Sequence, residues 1–247
     1  MPPTRTHVGT AGWSIPRAST HRFPDAGTHL QRYAGVLGCA EINSSFHRPH
    51  AAATYAKWAA STPAGFRFSV KFPRTVTHDN RLRRARAPLE RFLGEVSGLG
   101  EKCGPLLVQL PPSLEFDRRV AGGFFDLLRA RHTGSVACEP RHASWFTPAA
   151  EALLVAHRVA RVAADPPPVR EADAPGGWAG LVYFRLHGSP RKYWSRYGEE
   201  RIVDLVRSLR SVPPGVDAWC IFDNTASGSA IENAWELRRR LVESRVK

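Results

Sequence analysis

The sequence predicts a single (β/α)8 TIM barrel, an α/β fold, on three observations. Eight apolar runs of strand length recur along the 247 residues. Stretches with helical periodicity separate most of them. Each run exits in or beside a residue that no buried strand needs: Trp13, Asn43, Lys71, Gln109, Glu139, Asp165, His187 and Asn224. Alternating β and α elements wrap a parallel sheet in helices, and polar groups gathered where strands exit are the layout of a barrel whose site opens at the strand C-terminal face. The length is close to the roughly 250 residues of one such barrel, which gives a single domain over residues 1–247.

The first strand is read over residues 8–13, and the second over 39–43 behind a helix at about 28–37. A helix at about 51–60 leads to the third strand, 66–72, whose entry is punctuated by Pro63 and Gly65. The fourth strand, 106–110, stops at Pro111 and Pro112, because proline lacks the N–H that a central strand must donate. The fifth, 135–139, precedes a helix with Thr147 as N-cap and Pro148 at its first position, where the missing N–H costs nothing. The sixth strand is 159–164. The seventh, 181–187, and the eighth, 218–223, flank a helix whose Ile202, Leu205, Val206 and Leu209 follow the i, i+3, i+4, i+7 stripe. A last helix at about 229–242 closes the ring. An open doubly wound sheet alternates in the same way, but no GxGxxG follows the first strand and eight units leave no segment over.

A net charge of +13 and a pI near 10.4 favour anionic partners, DNA or RNA and phosphorylated metabolites among them, although an arginine-rich coding bias yields the same composition. Cys39, Cys103, Cys138 and Cys220 form no CxxC pair, and three of them fall inside strands as small buried hydrophobes, so neither a disulfide framework nor a structural zinc site is expected. The apolar runs are far shorter than the roughly 18 residues of a membrane span, and residues 1–7 lack a signal-peptide core. The expectation is a soluble cytoplasmic protein with no membrane partner.

Strand parity selects the candidate chemistry. Cys39, Glu41 and Asn43 share one face of the second strand, and a carboxylate cannot face apolar helices unpaired, so that face points into the lumen. The same argument places Ser69 and Lys71, Ala137 and Glu139, and Tyr183, Arg185 and His187 inside, with Arg141 and His142 just beyond. The plain reading is internal ion pairing, Glu41 with Lys71 and Glu139 with Arg185. The functional reading makes Glu139 or Glu41 a base and His187 an acid, while Lys71, Arg141 and Arg185 hold a substrate anion. Trp13, Asn43, Gln109, His142 and Asn224 complete the substrate-contacting set.

Glu41, Glu139, Asp165, His187 and Asp223 also form an oxygen-rich donor set for Mg, Mn or Zn, but Lys71, Arg141 and Arg185 compete for the same carboxylates, so no cofactor is assigned. No G-x-S-x-G elbow supports a serine nucleophile. The loop after the third strand carries Arg74, His78, Arg81, Arg83, Arg84 and Arg86; the loop after the seventh carries Arg191, Lys192, Tyr193, Trp194, Arg196 and Tyr197. Cations interleaved with rings suit a phosphate backbone with stacked bases, against the plainer reading of solvated charge. The turn at 224–229, with Gly228, offers backbone N–H groups to an anion.

The segments Gly9-Thr-Ala-Gly-Trp-Ser14, Glu41-Ile-Asn-Ser-Ser-Phe46, Phe68-Ser-Val-Lys-Phe-Pro73, Gly104-Pro-Leu-Leu-Val-Gln-Leu-Pro-Pro112, Glu139-Pro-Arg-His-Ala-Ser-Trp145, Arg185-Leu-His-Gly188 and Phe222-Asp-Asn-Thr225 resemble, in order, the "domain of unknown function 72" family, also called YecE-like. The resemblance implies a (β/α)8 barrel and no agreed reaction. Pro140 stands where that family usually has an aromatic, His47 where it often has Tyr, and Asp223-Asn224 where it has an Asn pair; the last change adds a carboxylate to the mouth. The sequence thus points to an enzyme acting on a phosphate-bearing substrate by acid/base hydrolase or lyase chemistry. Its rivals are a non-catalytic nucleic-acid binder and a metal-dependent sugar isomerase.

Overall fold

Residues 5–243 are described by a computed structural model. Strands β1 (Thr6–Ala11), β2 (Cys39–Ile42), β3 (Arg67–Lys71), β4 (Cys103–Gln109), β5 (Val136–Glu139) and β6 (Val159–Arg161) pair in that order, all parallel. On the other side of β1 lie β10 (Asp217–Phe222), β9 (Leu181–Leu186) and β7 (Ala163–Asp165), again parallel. The expected sixth strand is therefore two pieces. β6 pairs with β5 and β7 with β9, so Val162 hands one chain from neighbour to neighbour and completes the circuit; its N–H still donates to the Cys138 carbonyl at 2.8 Å. A two-residue strand not expected from the sequence, β8 (Gly176–Gly177), lies antiparallel on β6.

Among the described residues seven α-helices accompany the strands: α1 (His29–Ala34), α2 (Ala52–Ala60), α3 (Arg86–Val96), α4 (Arg118–Arg129), α5 (Pro148–Ala156), α6 (Glu199–Arg210) and α7 (Ser229–Glu243). Thr28 and Gln31 close a reciprocal capping box at α1, and Thr147 caps α5 with Pro148 at its start, as its sequence signals. Helices α3 and α4 occupy stretches for which the sequence reading named no helix. Asp117 starts α4 by accepting the Arg119 and Val120 N–H groups at 2.9 and 3.1 Å.

Two cores follow from strand parity. Outward residues Phe66, Phe68, Val70 and Phe72 are buried against the helices, Phe72 meeting Phe124 of α4 edge-on at 6.1 Å. Inward residues Leu107, Ala137, Val162, Tyr183, Trp219 and Ile221 fill the lumen. Trp219 is stacked between His7 and Tyr183, with centroids 4.5 and 6.2 Å apart, and a Cβ on Gly104 would lie 2.6 Å from its ring. This aromatic plug is the floor under the polar layer. At the opposite end β1 stops at Ala11, earlier than expected, because Gly12 takes a left-handed turn (φ +78°).

Candidate active site

The strand ends carry a closed ring of charge. Glu41 ends the lumen face of β2, Lys71 that of β3, Gln109 that of β4 and Glu139 that of β5; Arg185 comes from β9, His187 from just past it, and Asp223 from just past β10. Arg185 is the hub. Its Nε donates to Glu41 at 3.0 Å, and Nη2 reaches Glu41 Oε1 at 2.7 Å and Asp223 Oδ2 at 3.0 Å. Nη1 reaches Glu139 Oε2 at 3.2 Å and lies 3.4 Å from His187 Nε2. Glu41 also accepts the Tyr183 hydroxyl at 2.9 Å, and the Ser69 hydroxyl beside it donates to the Pro105 carbonyl. Carboxylates held this far from water are tolerable because each meets a fixed cation or donor.

His187 stands between two carboxylates, Nδ1 at 2.9 Å from Asp223 and Nε2 at 2.8 Å from Glu139. Arg141 Nη2 comes to 2.6 Å from Glu139 Oε1 and 2.7 Å from His187 Nε2. Gln109 donates to the other Glu139 oxygen at 3.0 Å. Burial alone would push the Glu139 carboxyl up, yet Arg141, Arg185 and His187 outweigh it and hold the group well below the usual range. Asp223 is likewise lowered: burial opposes, while Arg185 and the hydrogen bond from His187 prevail.

Lys71 differs from its neighbours. The expected Glu41–Lys71 pair does not form, because Glu41 is engaged by Arg185. Lys71 Nζ instead sits 4.1 Å over the Phe46 ring, a residue the sequence reading had not linked to the site, and no hydrogen bond or ion pair within the described residues ties it. Burial and then the Arg185 charge pull its amine down to about 8, against Glu41, Glu139 and Asp223.

Exposure divides the ring. Glu41, Glu139, Arg185 and His187 are fully enclosed, whereas Lys71 and Gln109 keep 7% and 9% of their surface. The loop after β9 covers part of the mouth: Tyr193 donates its N–H to the His187 carbonyl and sets its ring edge-on to the imidazole at 5.7 Å. Lys192 is exposed on the same loop, its amine lowered by desolvation and by Arg141.

Four of the expected substrate-contacting residues stand elsewhere. Trp13, past the Gly12 turn, packs edge-on against Trp58 and Phe68, at 5.1 and 6.2 Å. With Asn43 it lines a separate cleft of about 360 Å³ beside His29. His142 caps its own turn, Nδ1 accepting the Ser144 N–H at 3.3 Å. Asn224 is fully buried, donating to Asn233 and the Ser195 carbonyl at 3.0 and 2.9 Å, and so ties the β9 loop to α7. The N–H groups of its turn are spent within the fold, Ala226 on Tyr193 and Gly228 on Thr225. Asp165 turns outward to Arg201 at 3.0 Å.

Arg185 cannot greet a substrate anion, since all its N–H directions meet carboxylates or His187. The donor set does not suit a metal either: Glu41, Glu139 and Asp223 converge on a guanidinium that already occupies the cation's place. No group of three His, Cys, Asp or Glu side chains among the described residues is arranged to hold a metal ion.

The rim residues lie on two loops. Arg83 pairs with Asp117 at 3.4 Å, while Arg84 is exposed with φ +47°. Arg191 lies 4.6 Å over the Trp194 ring, which is 47% exposed. No helix of the described residues is long and apolar enough to cross a membrane.

Known proteins agree with this fold. The family model described as "Protein of unknown function DUF72" matches residues 7–247. The UPF0759 protein YecE of Escherichia coli K12 is 30% identical over 105 residues, 42% of this chain and 37% of YecE's own length. A DUF72 family protein of Thermotoga maritima superposes with a TM-score of 0.79 at 24% identity, covering 96% of this chain and 99% of the other. One from Enterococcus faecalis gives 0.80 at 20% identity, over 96% and 95%.

Proposed function

The chain belongs to the DUF72 family, whose description names no reaction, so the chemistry has to come from the mouth itself; we propose an enzyme that acts on a phosphate-bearing substrate by acid/base chemistry. One observation carries this reading: two cations, Lys71 and Arg141, keep part of their surface at the opening, and Arg141 has a spare donor. Its Nη2 is held by Glu139, yet its Nε is buried with no acceptor. A buried donor left unmet costs about 1–3 kcal/mol, which an arriving anion would return. Lys71 and Lys192 flank the same opening. Arg141 and Lys192 bind the phosphate, Lys71 moves the proton, and Asp223 with His187 passes protons behind it. Glu139 and Glu41 serve as framework rather than as bases, since both are enclosed and spoken for by fixed donors.

The test is a thermal-shift screen of phosphorylated metabolites, nucleotides and short oligonucleotides. A ligand at about a hundred times its Kd raises stability by roughly 2.7 kcal/mol, or roughly 5–10 °C for a chain of this size. Arg141→Met should lose that shift; a shift that survives it, or none with any phosphate compound, overturns the reading. The half-exposed Tyr193 and Trp194 beside Arg191 and Lys192 favour a second reading, a nucleic-acid binder without turnover. Turnover of a ligand found in the screen separates the two.

A further inference from the structure

We propose that Lys71 is a covalent nucleophile that condenses with an aldehyde or ketone carbonyl of its substrate to form an imine. The inference rests on the reading above for the phosphate, makes Lys71 the attacking amine in place of the proton carrier and leaves proton movement to His187 and Asp223, and it narrows the substrate class to carbonyl compounds carrying an anionic group.

Geometry sets Lys71 apart from the arginines of the mouth, and its burial from the exposed Lys192. Arg185 is saturated, Arg141 is bound to Glu139, and guanidinium cannot shed its proton at any physiological pH. Lys71 Nζ rests on an aromatic face, with carboxylates and Arg185 around it but none in bonding contact. An amine in that setting keeps its lone pair for an incoming carbon. A lysine is activated in this way by desolvation or by a nearby cation, and both act here. With the amine near 8, roughly a tenth is neutral at pH 7, against roughly three in ten thousand for an ordinary lysine.

Composition points the same way. Of the 35 cationic residues only five are lysine, at 57, 71, 102, 192 and 247, so in a chain that writes arginine almost everywhere the lumen cation of β3 is one of the few amines. Arginine would serve for charge alone, but it cannot form this bond. The groups facing the amine are Arg185, Glu41, Glu139 and Asp223, with Phe46 and its neighbour His78 on the open side.

The step balances without a redox partner. The Nζ lone pair forms the C–N bond as the carbonyl π pair moves to oxygen. The carbinolamine then expels that oxygen as water with both amine protons, leaving C=N. A proton from solvent makes the iminium, which withdraws electrons from the adjacent carbon and so assists C–C, C–O or C–H cleavage there.

The experiment treats the full chain with 2-deoxyribose 5-phosphate, or with 2-deoxyribose, in the presence of cyanoborohydride, and maps the reduced adduct by peptide mass spectrometry. Wild type should carry the adduct on Lys71, faster at pH 8 than at pH 6 and about tenfold faster with the phosphate, a preference of about 1.4 kcal/mol. Lys71→Arg, which keeps the charge, should lose it at unchanged melting temperature, and Lys192→Ala, which removes a phosphate-binding cation, should slow the phosphate-bearing sugar toward the rate of 2-deoxyribose. Adduct spread over Lys57, Lys102 and Lys192, or retained in Lys71→Arg, overturns the inference. If phosphorylated compounds shift the melting temperature but no adduct forms on Lys71, the imine falls while the phosphate reading stands. An adduct formed equally from both sugars overturns the phosphate reading and leaves the imine.

Discussion

Arg185 and Lys71 lie in the same lumen and make opposite demands on stability. Arg185 neutralises carboxylates that were taken out of water with it, so Arg185→Met leaves Glu41, Glu139 and Asp223 crowded without their counter-ion. The expected loss is about 3–5 kcal/mol in a denaturant melt at pH 7, since breaking a buried pair strands the partner's charge. A loss within error would mean that the three carboxylates do not depend on this hub. Lys71 predicts the reverse sign. Its amine is near 8 when folded and near 10.5 when unfolded, so between those values the unfolded chain binds more protons and stability rises with pH. Below pH 8 the folded state carries the cost of the buried charge. Lys71→Met should therefore be more stable than wild type by about 2–3 kcal/mol at pH 7, with the gain shrinking to nothing toward pH 10.5. Melts across that range decide it, and a Met variant no more stable at neutral pH would show that the amine is not strained by its site. Glu139 and Asp223 act in the usual carboxylate direction: held low in the fold, they add stability above the unfolded range near pH 4 that fades as the pH falls further.

At the scale of elements, two local devices are open to single substitutions. Gly9 of β1 runs so close to β2 that an added Cβ would lie 2.0 Å from the Cys39 carbonyl oxygen. Gly9→Ala must push two barrel strands apart, at about 1–3 kcal/mol or more by chemical denaturation. Asp117 holds the start of α4 and also pairs with Arg83. Asp117→Ala should cost about 0.5–2 kcal/mol, nearly all of it through the cap, because the Arg83 pair is exposed and Arg83→Ala should change stability by less than about 1 kcal/mol. Elements with strong punctuation were legible in the sequence: Thr147-Pro148 opened α5 where expected, and paired prolines stopped β4. Parity alone brought Glu41, Glu139, Arg185 and His187 into one ring, because an inward-facing charge has few places to go. The rest was hidden by single-residue geometry. The left-handed turn at Gly12 swung Trp13 out of the lumen, and the break at Val162 turned Asp165 toward α6. Which cation would claim Glu41 was not legible either, since Lys71 and Arg185 both point inward and only their reach separates them.

Across the whole molecule, the charge of +13 has two possible destinations, a bound anion or plain solvent, and salt dependence distinguishes them. Each phosphate neutralised on binding releases condensed counter-ions, so affinity for a single strand falls with a log–log slope of about −0.7 per contact. If the β9 loop and the mouth form one cationic track, single-stranded oligonucleotides should bind at low salt. Arg191→Ala and Lys192→Ala should then each flatten the slope by roughly one contact. The loop after β3 should contribute unequally. Arg84 is exposed, with no ion pair among the described residues, and should behave like Arg191, whereas Arg83 already faces Asp117 and should change the slope less. Trp194→Ala tests stacking separately from charge. One face of that ring is covered by Arg191, which leaves the other for a base, so the cost should fall toward the lower end of about 1–3 kcal/mol with little change in slope. Oligonucleotide binding absent at low salt, or indifferent to these four cations, would assign the basic surface to solvent. The phosphate at the mouth would then belong to a small molecule, one short enough to reach Arg141 past the Tyr193 cover without touching the outer loops.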